Sequence, residues 1–167
     1  IKPDVIDRAL LSLKSNDFPI YYLSPRGVKL DAQISNSISK SDGMTLVCGK
    51  YEGVDERVIK HYNMIEISIG DYILSGGDLA AMVLIDSVVR CLPNVLGNPL
   101  TLNEETFTNH LLEYPLYTQP REWKNYKVPD VLLSGDHKKI KNWKIKQSED
   151  ITMKRRPDLW KKYLKLK

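Results

Sequence analysis

Between Ser68 and Arg90 the chain sets Gly70, Gly76 and Gly77 in a short stretch, follows them with Asp78, and closes a long apolar run on a cation, Arg90. Glycines of this kind remove side chains where backbone could approach a ligand, and the helix that starts at once afterwards would turn its positive end toward one. A double-glycine turn between a strand and a helix is more often plain punctuation, so a ligand cradle and an ordinary turn both remain open. Arg90 reads locally as a solvated charge or a favourable cation at a helix C-terminus. A second chemical signal lies at the other end of the chain. Residues 1–120 hold 10 Lys+Arg against 15 Asp+Glu, whereas residues 121–167 hold 15 against 6, giving opposite charges of −5 and +9. That basic segment also carries Trp123, Trp143 and Trp160 and the run Lys154-Arg155-Arg156. Lysines and aromatics so interleaved suit a polyanion such as nucleic acid, the alternative being a solvated charged face. No structural metal is indicated: Cys48 and Cys91 fit no metal spacing, and His61, His110 and His137 are scattered.

The elements that would position these groups alternate in the manner of an α/β fold. Pro3 to Leu13 carries apolar residues at helical spacing, and Ile20 to Leu23 reads as a strand ending at Ser24-Pro-Arg-Gly27. Asp31 to Ser39 reads as a helix, Met44 to Cys48 as a strand, Asp55 to His61 as a short helix and Ile65 to Ile69 as a strand. The helix from Leu79 to Val89 is too apolar to lie wholly exposed, which assigns part of it to a core or a subunit interface. Three loops, Ser24 to Gly27, Gly49 to Gly53 and Gly70 to Gly77, follow three strands, the end of an open α/β sheet where ligands bind. Neither G-x-G-x-x-G nor G-x-x-x-x-G-K-[ST] occurs, which weakens dinucleotide and triphosphate readings. With 167 residues and 42% hydrophobic content, the chain can bury about two thirds of its unfolded surface. No apolar run approaches the roughly 20 residues of a membrane helix. The chain opens at Ile1 with no charged-then-apolar stretch, and the two thiols read as reduced, so a cytoplasmic protein without a visible targeting segment is expected.

Six ordered motifs stand out: Tyr22 to Gly27, Leu46 to Arg57, Ser68 to Arg90, Leu112 to Pro120, Val128 to Gly135 and Arg155 to Leu159. Together they resemble the bacterial tRNA (guanine-N1)-methyltransferase (TrmD) family of the SPOUT superfamily. The resemblance implies a SPOUT-type trefoil-knotted parallel α/β sheet with a small, mainly helical basic C-terminal domain. Residues 1–97 would form the S-adenosylmethionine-binding knotted domain, 98–120 an interdomain linker and 121–167 the tRNA-binding domain. It places the cofactor against Tyr22, Leu23, Ser24 and Pro25 of the first loop, and against Gly49, Tyr51, Glu52 and Gly53 of the second. Ile69, Gly70, Tyr72, Leu74, Gly76 and Gly77 complete the set. For Tyr22, Leu23 and Leu74, core packing is an equally local explanation.

The implied reaction moves a methyl group from S-adenosylmethionine to N1 of guanosine 37 in tRNA, which requires removal of the N1 proton and stabilisation of charge on O6. Arg90 matches the family's catalytic arginine. Glu105 stands where the family has the aspartate of Asp-Ser-Phe, with Glu105-Thr106-Phe107 as the local sequence. It is expected to act as the base with one extra methylene, with Glu104 the weaker alternative. Lys50 and Gln119 replace family arginines, so phosphate contacts there are expected to be weaker. The resemblance further implies a homodimer whose sites draw Glu105 from the partner, a dependence on Mg2+ in some relatives, and a glycine-rich guanosine-holding stretch ahead of Ile1. A ribose 2′-O-methyltransferase of the same superfamily, a noncatalytic RNA-binding dimer and a nicotinamide-binding domain are the competing readings.

Overall fold

The apolar run from Ile20 to Leu23 becomes the centre of a parallel sheet. In the computed structural model, which describes residues 1–13, 18–50, 52–95 and 106–167, strand β1 (Ile20–Lys29) lies between β2 (Thr45–Cys48) and β3 (Ile65–Ser68). Tyr22 stands opposite Val47 on one side and Glu66 on the other. Parallel strands need crossovers, and helices supply them. Helix α1 (Pro3–Leu11) precedes β1, α2 (Ala32–Ile38) joins β1 to β2, α3 (Glu56–His61) joins β2 to β3, and α4 (Asp78–Val89) follows β3. Pro3 sits at the start of α1, where its missing N–H costs no bond. Asp31 and Asp55 cap α2 and α3, their carboxylates accepting the Ile34 and Arg57 backbone N–H groups, each at 2.9 Å.

Alternation along β1 divides the core between the two faces of the sheet. Tyr21 and Leu23 pack with Ile38, Ile67, Leu84 and Val88, whereas Tyr22 and Val47 pack with Leu10, Val58, Ile59 and Met64. Both faces are covered, which is why Ile20 to Leu23 of β1 and Leu46 to Cys48 of β2 read as unbroken apolar runs, whereas edge strand β3 carries Glu66 and Ser68.

One boundary differs from the sequence expectation. The first strand does not end at Ser24: β1 continues to Lys29, with Leu23 and Val28 both registered on Ile67. Ser24 to Gly27 therefore form an excursion within a strand. A Cβ on Gly27 would come within 2.4 Å of the Glu66 carbonyl carbon, so only glycine lets this excursion lie against β3.

The described chain divides into two compact units, Ile1–Gly97 and Asn98–Lys167. In the second, a 3-10 turn (Thr108–His110) is followed by a hairpin of β4 (Glu122–Trp123) and β5 (Tyr126–Lys127), then α5 (Asp130–Leu133), α6 (His137–Arg155) and α7 (Pro157–Leu164). Pro157 opens α7 where α6 can no longer continue. Thr152 is fully buried; its hydroxyl donates to the Ser148 carbonyl at 2.6 Å and accepts the Leu112 N–H at 2.8 Å, fastening residues around Leu112 to α6.

Candidate functional site

The three loops meet. A cavity of about 460 Å³ opens at the carboxyl ends of β2 and β3 and beside the excursion within β1, a volume suited to a small organic ligand. Tyr22, Leu23, Ser24 and Pro25 border it from β1, and Gly49, Glu52 and Gly53 from the loop after β2. Ile69, Gly70, Tyr72, Leu74, Gly76 and Gly77 close it from the loop before α4. Tyr51 and Glu105 lie outside the described residues. Arg90 follows the last residue of α4, is exposed, and does not border the cavity.

Hydrogen bonds fix the walls relative to one another. The buried Tyr22 hydroxyl accepts the Val54 N–H at 3.2 Å, tying the central strand to the second loop. Gly77 N–H donates to the Gly49 carbonyl at 2.8 Å, and Lys50 and Gly76 form an isolated antiparallel bridge. A Cβ on Gly77 would lie 2.9 Å from Cys48 Cα, so this approach of the loops itself demands glycine. Gly76 is different. A Cβ there would meet nothing nearer than Lys50 Cγ at 3.5 Å, an ordinary contact, so packing does not explain its bareness. The missing side chain instead leaves room in the cavity wall. The buried Ser68 hydroxyl donates to the Gly70 carbonyl at 3.1 Å and accepts its N–H at 3.2 Å, holding the turn out of β3.

The rim is charged. Arg26 Nη2 donates to Glu56 and to Glu66, each at 3.0 Å, and joins the β1 excursion to α3 and β3. The Arg26 guanidinium holds the Glu56 carboxyl below its ordinary value. Beneath the second loop, burial and then the charge of Asp78 push the Cys48 thiol up. A protonated thiol is a poor nucleophile, so thiolate chemistry does not suit this site. Among the described residues no three His, Cys, Asp or Glu side chains are grouped to hold a metal.

Sequence reasoning did not single out Arg26, Glu56 and Ile73, which also border the cavity. Arg26 and Glu56 fall inside two of the quoted motifs, but their pairing across 30 residues has no local signature.

The family model for the tRNA (Guanine-1)-methyltransferase TrmD matches residues 1–162. The chain is 53% identical over 165 residues to the tRNA (guanine-N(1)-)-methyltransferase of Pelagibacter ubique, covering 99% of this chain and 72% of that protein. Against the enzyme of the same name from Ruegeria pomeroyi the identity is 48% over 166 residues, covering 98% and 68%. Against that of Rhodospirillum rubrum it is 50% over 164 residues, covering 98% and 69%.

Proposed function

The chain belongs to the tRNA (guanine-1)-methyltransferase family, and from that premise we propose that its 460 Å³ cavity is the S-adenosylmethionine site of an enzyme methylating N1 of guanosine 37 in tRNA. The observation that carries the reading is the meeting of the three loops at one cavity, with a wall at Gly76 that packing alone leaves unexplained. When bound, the cofactor supplies an electrophilic methyl group on a sulfonium. Tyr22, Leu23, Ser24 and Pro25 would hold it on one side. Gly49, Tyr51, Glu52 and Gly53 would hold it on the second, and Ile69, Gly70, Tyr72, Leu74, Gly76 and Gly77 on the third. Apolar Leu23, Ile69 and Leu74 exclude water, and glycine backbone offers donors and acceptors to the base.

In this reading the Glu105 carboxylate takes the proton from guanine N1, and the Arg90 guanidinium stabilises the charge that develops on O6. The bridged second and third loops are proposed to belong to a SPOUT-type trefoil knot. Residues 98–120 would serve as the linker and 121–167 as the basic domain that grips tRNA in the cytoplasm. Among the described residues no helix is long and apolar enough to cross a membrane. A homodimer is proposed, built on the apolar side of α4 that leaves Leu79 58% and Met82 64% exposed.

The deciding experiment is transfer of a labelled methyl from S-adenosylmethionine to a tRNA transcript, beside a transcript with guanosine 37 replaced. Signal in the first alone, recovered as N1-methylguanosine, is expected. A 2′-O-methylated nucleoside, or equal signal from both transcripts, would overturn the reading.

A further inference from the structure

Residues 116–127 are exposed without interruption, although they include Leu116, Tyr117, Trp123 and Tyr126. The hairpin at their end presents its aromatics outward. Trp123 and Tyr126 stand directly opposite across β4 and β5, hence side by side on one face, and are 59% and 76% exposed. The two-residue turn between them is tight. Lys124 and Asn125 adopt φ of 48° and 68°, and the Val128 N–H closes the hairpin on the Arg121 carbonyl at 2.9 Å. Local folding thus accounts for the turn and leaves the two rings unexplained. Their setting is cationic: Arg121, Lys124 and Lys127 face a lone acid, Glu122, which Lys127 engages at 3.7 Å. Lys124 Nζ sits 4.9 Å from the Trp123 ring centroid.

We propose that this hairpin is a stacking platform for unpaired RNA nucleotides, with Trp123 and Tyr126 receiving base faces and Arg121 and Lys124 neutralising the adjoining phosphates. The inference rests on the tRNA reading above and adds to it a site and a class of RNA structure. Aromatic faces beside cations are the recurring means of holding single strands, because every base has a π-face and every nucleotide a phosphate. Unpaired nucleotides are favoured over a helix because an A-form major groove is too deep and narrow for side chains, whereas loop bases can splay out onto a ring. Lysines crowded around the rings argue against a protein partner, since lysine is depleted from the buried centre of protein interfaces.

The test measures affinity of the 167-residue chain for a tRNA transcript and for a blunt RNA duplex of equal charge, with Trp123→Leu, Trp123→Phe, Tyr126→Leu and Lys124→Ala. Leucine keeps apolar area and removes the ring face. Trp123→Leu and Tyr126→Leu should each weaken tRNA binding by about fivefold or more, leave duplex binding unchanged, and leave the salt dependence intact. Trp123→Phe should retain most of the affinity, and Lys124→Ala should reduce the logarithmic salt slope by about 1. An unaltered circular dichroism spectrum and thermal midpoint would verify an intact fold. Wild-type tRNA affinity in both leucine variants overturns the platform, as does an equal loss toward duplex or a changed oligomeric state by sedimentation, which would mark the face as a protein contact. Failure of the unaltered protein to bind tRNA at all would overturn the functional reading together with the platform.

Discussion

At the scale of single residues, the proposed chemistry would rest on two side chains, Glu105 and Arg90, and the proposed cofactor site on an absent one at Gly76. In that proposal Glu105 carries one methylene more than the aspartate of the resembled pattern, and the longer side chain would have to deliver its carboxylate to the same proton. Displacement of a reacting group by about 1 Å can cost on the order of 100-fold in rate. Glu105→Gln should lower the single-turnover rate by about 10² to 10⁴ and flatten the acid limb of the pH–rate profile. A variant with the original rate and profile would remove Glu105 from the mechanism. Gly76 permits a cleaner separation of folding from binding. Because a Cβ there meets only ordinary contacts, Gly76→Ala should leave the thermal midpoint near that of the wild type while calorimetry shows weaker S-adenosylmethionine binding. Loss of stability without loss of affinity would return Gly76 to a purely structural role.

At the scale of elements, the excursion in β1 is what turns the middle of a strand into a cavity wall. Ser24 and Pro25 can border the cavity because the strand leaves its register after Leu23 and recovers it at Val28. Arg26 clasps that excursion to α3 and β3 through Glu56 and Glu66. The paired guanidinium lowers the Glu56 carboxyl from its ordinary 4.5. A lowered carboxyl contributes stability above the ordinary carboxylate range, and that contribution is lost as the pH falls through the depressed value. In Arg26→Gln, a carboxyl NMR titration should therefore find Glu56 back near its ordinary value. The same change separates clasp from charge. Coulomb attraction alone would make a cationic ligand bind better once Arg26 is gone. A loosened wall should instead weaken S-adenosylmethionine and the uncharged-sulfur S-adenosylhomocysteine alike, by about two- to fivefold, the scale of an exposed ion pair. A gain for the cationic ligand alone would show that Arg26 acts through its charge.

At the scale of the whole molecule, the proposed dimer follows from an imbalance along α4. This helix buries Ala80, Ala81, Leu84 and Val88 in its own unit yet leaves Leu79, Met82, Val83 and Ile85 exposed. Contiguous exposed apolar surface of that kind calls for a partner. Met82→Arg should shift sedimentation from dimer to monomer and abolish methyl transfer. If each site draws Glu105 from the partner, mixing inactive Arg90→Ala with inactive Glu105→Gln should restore activity through the one intact site of the heterodimer. Mixtures that stay inactive while exchanging subunits would place both residues in the same chain.

Periodicity, breakers and motif order already determined that the first unit alternates helices and strands, that glycine-bearing loops follow two of its strands, β2 and β3, and that positive charge collects after residue 120. These features are local, and the forces that set them act over a few residues. The register shift in β1 was not legible, since Ile20 to Leu23 shows a strand whereas the return at Val28 is imposed by β3. The Arg26 clasp likewise joins residues 30 and 40 positions apart. Composition marked the tryptophans as unusual, but only the hairpin fold separated outward-facing Trp123 from Trp143, which packs beside Tyr117. Glycine type alone could not distinguish Gly77, which backbone contact requires, from Gly76, which it does not. That distinction depends on which atoms lie opposite, and it is created only when the loops are brought together.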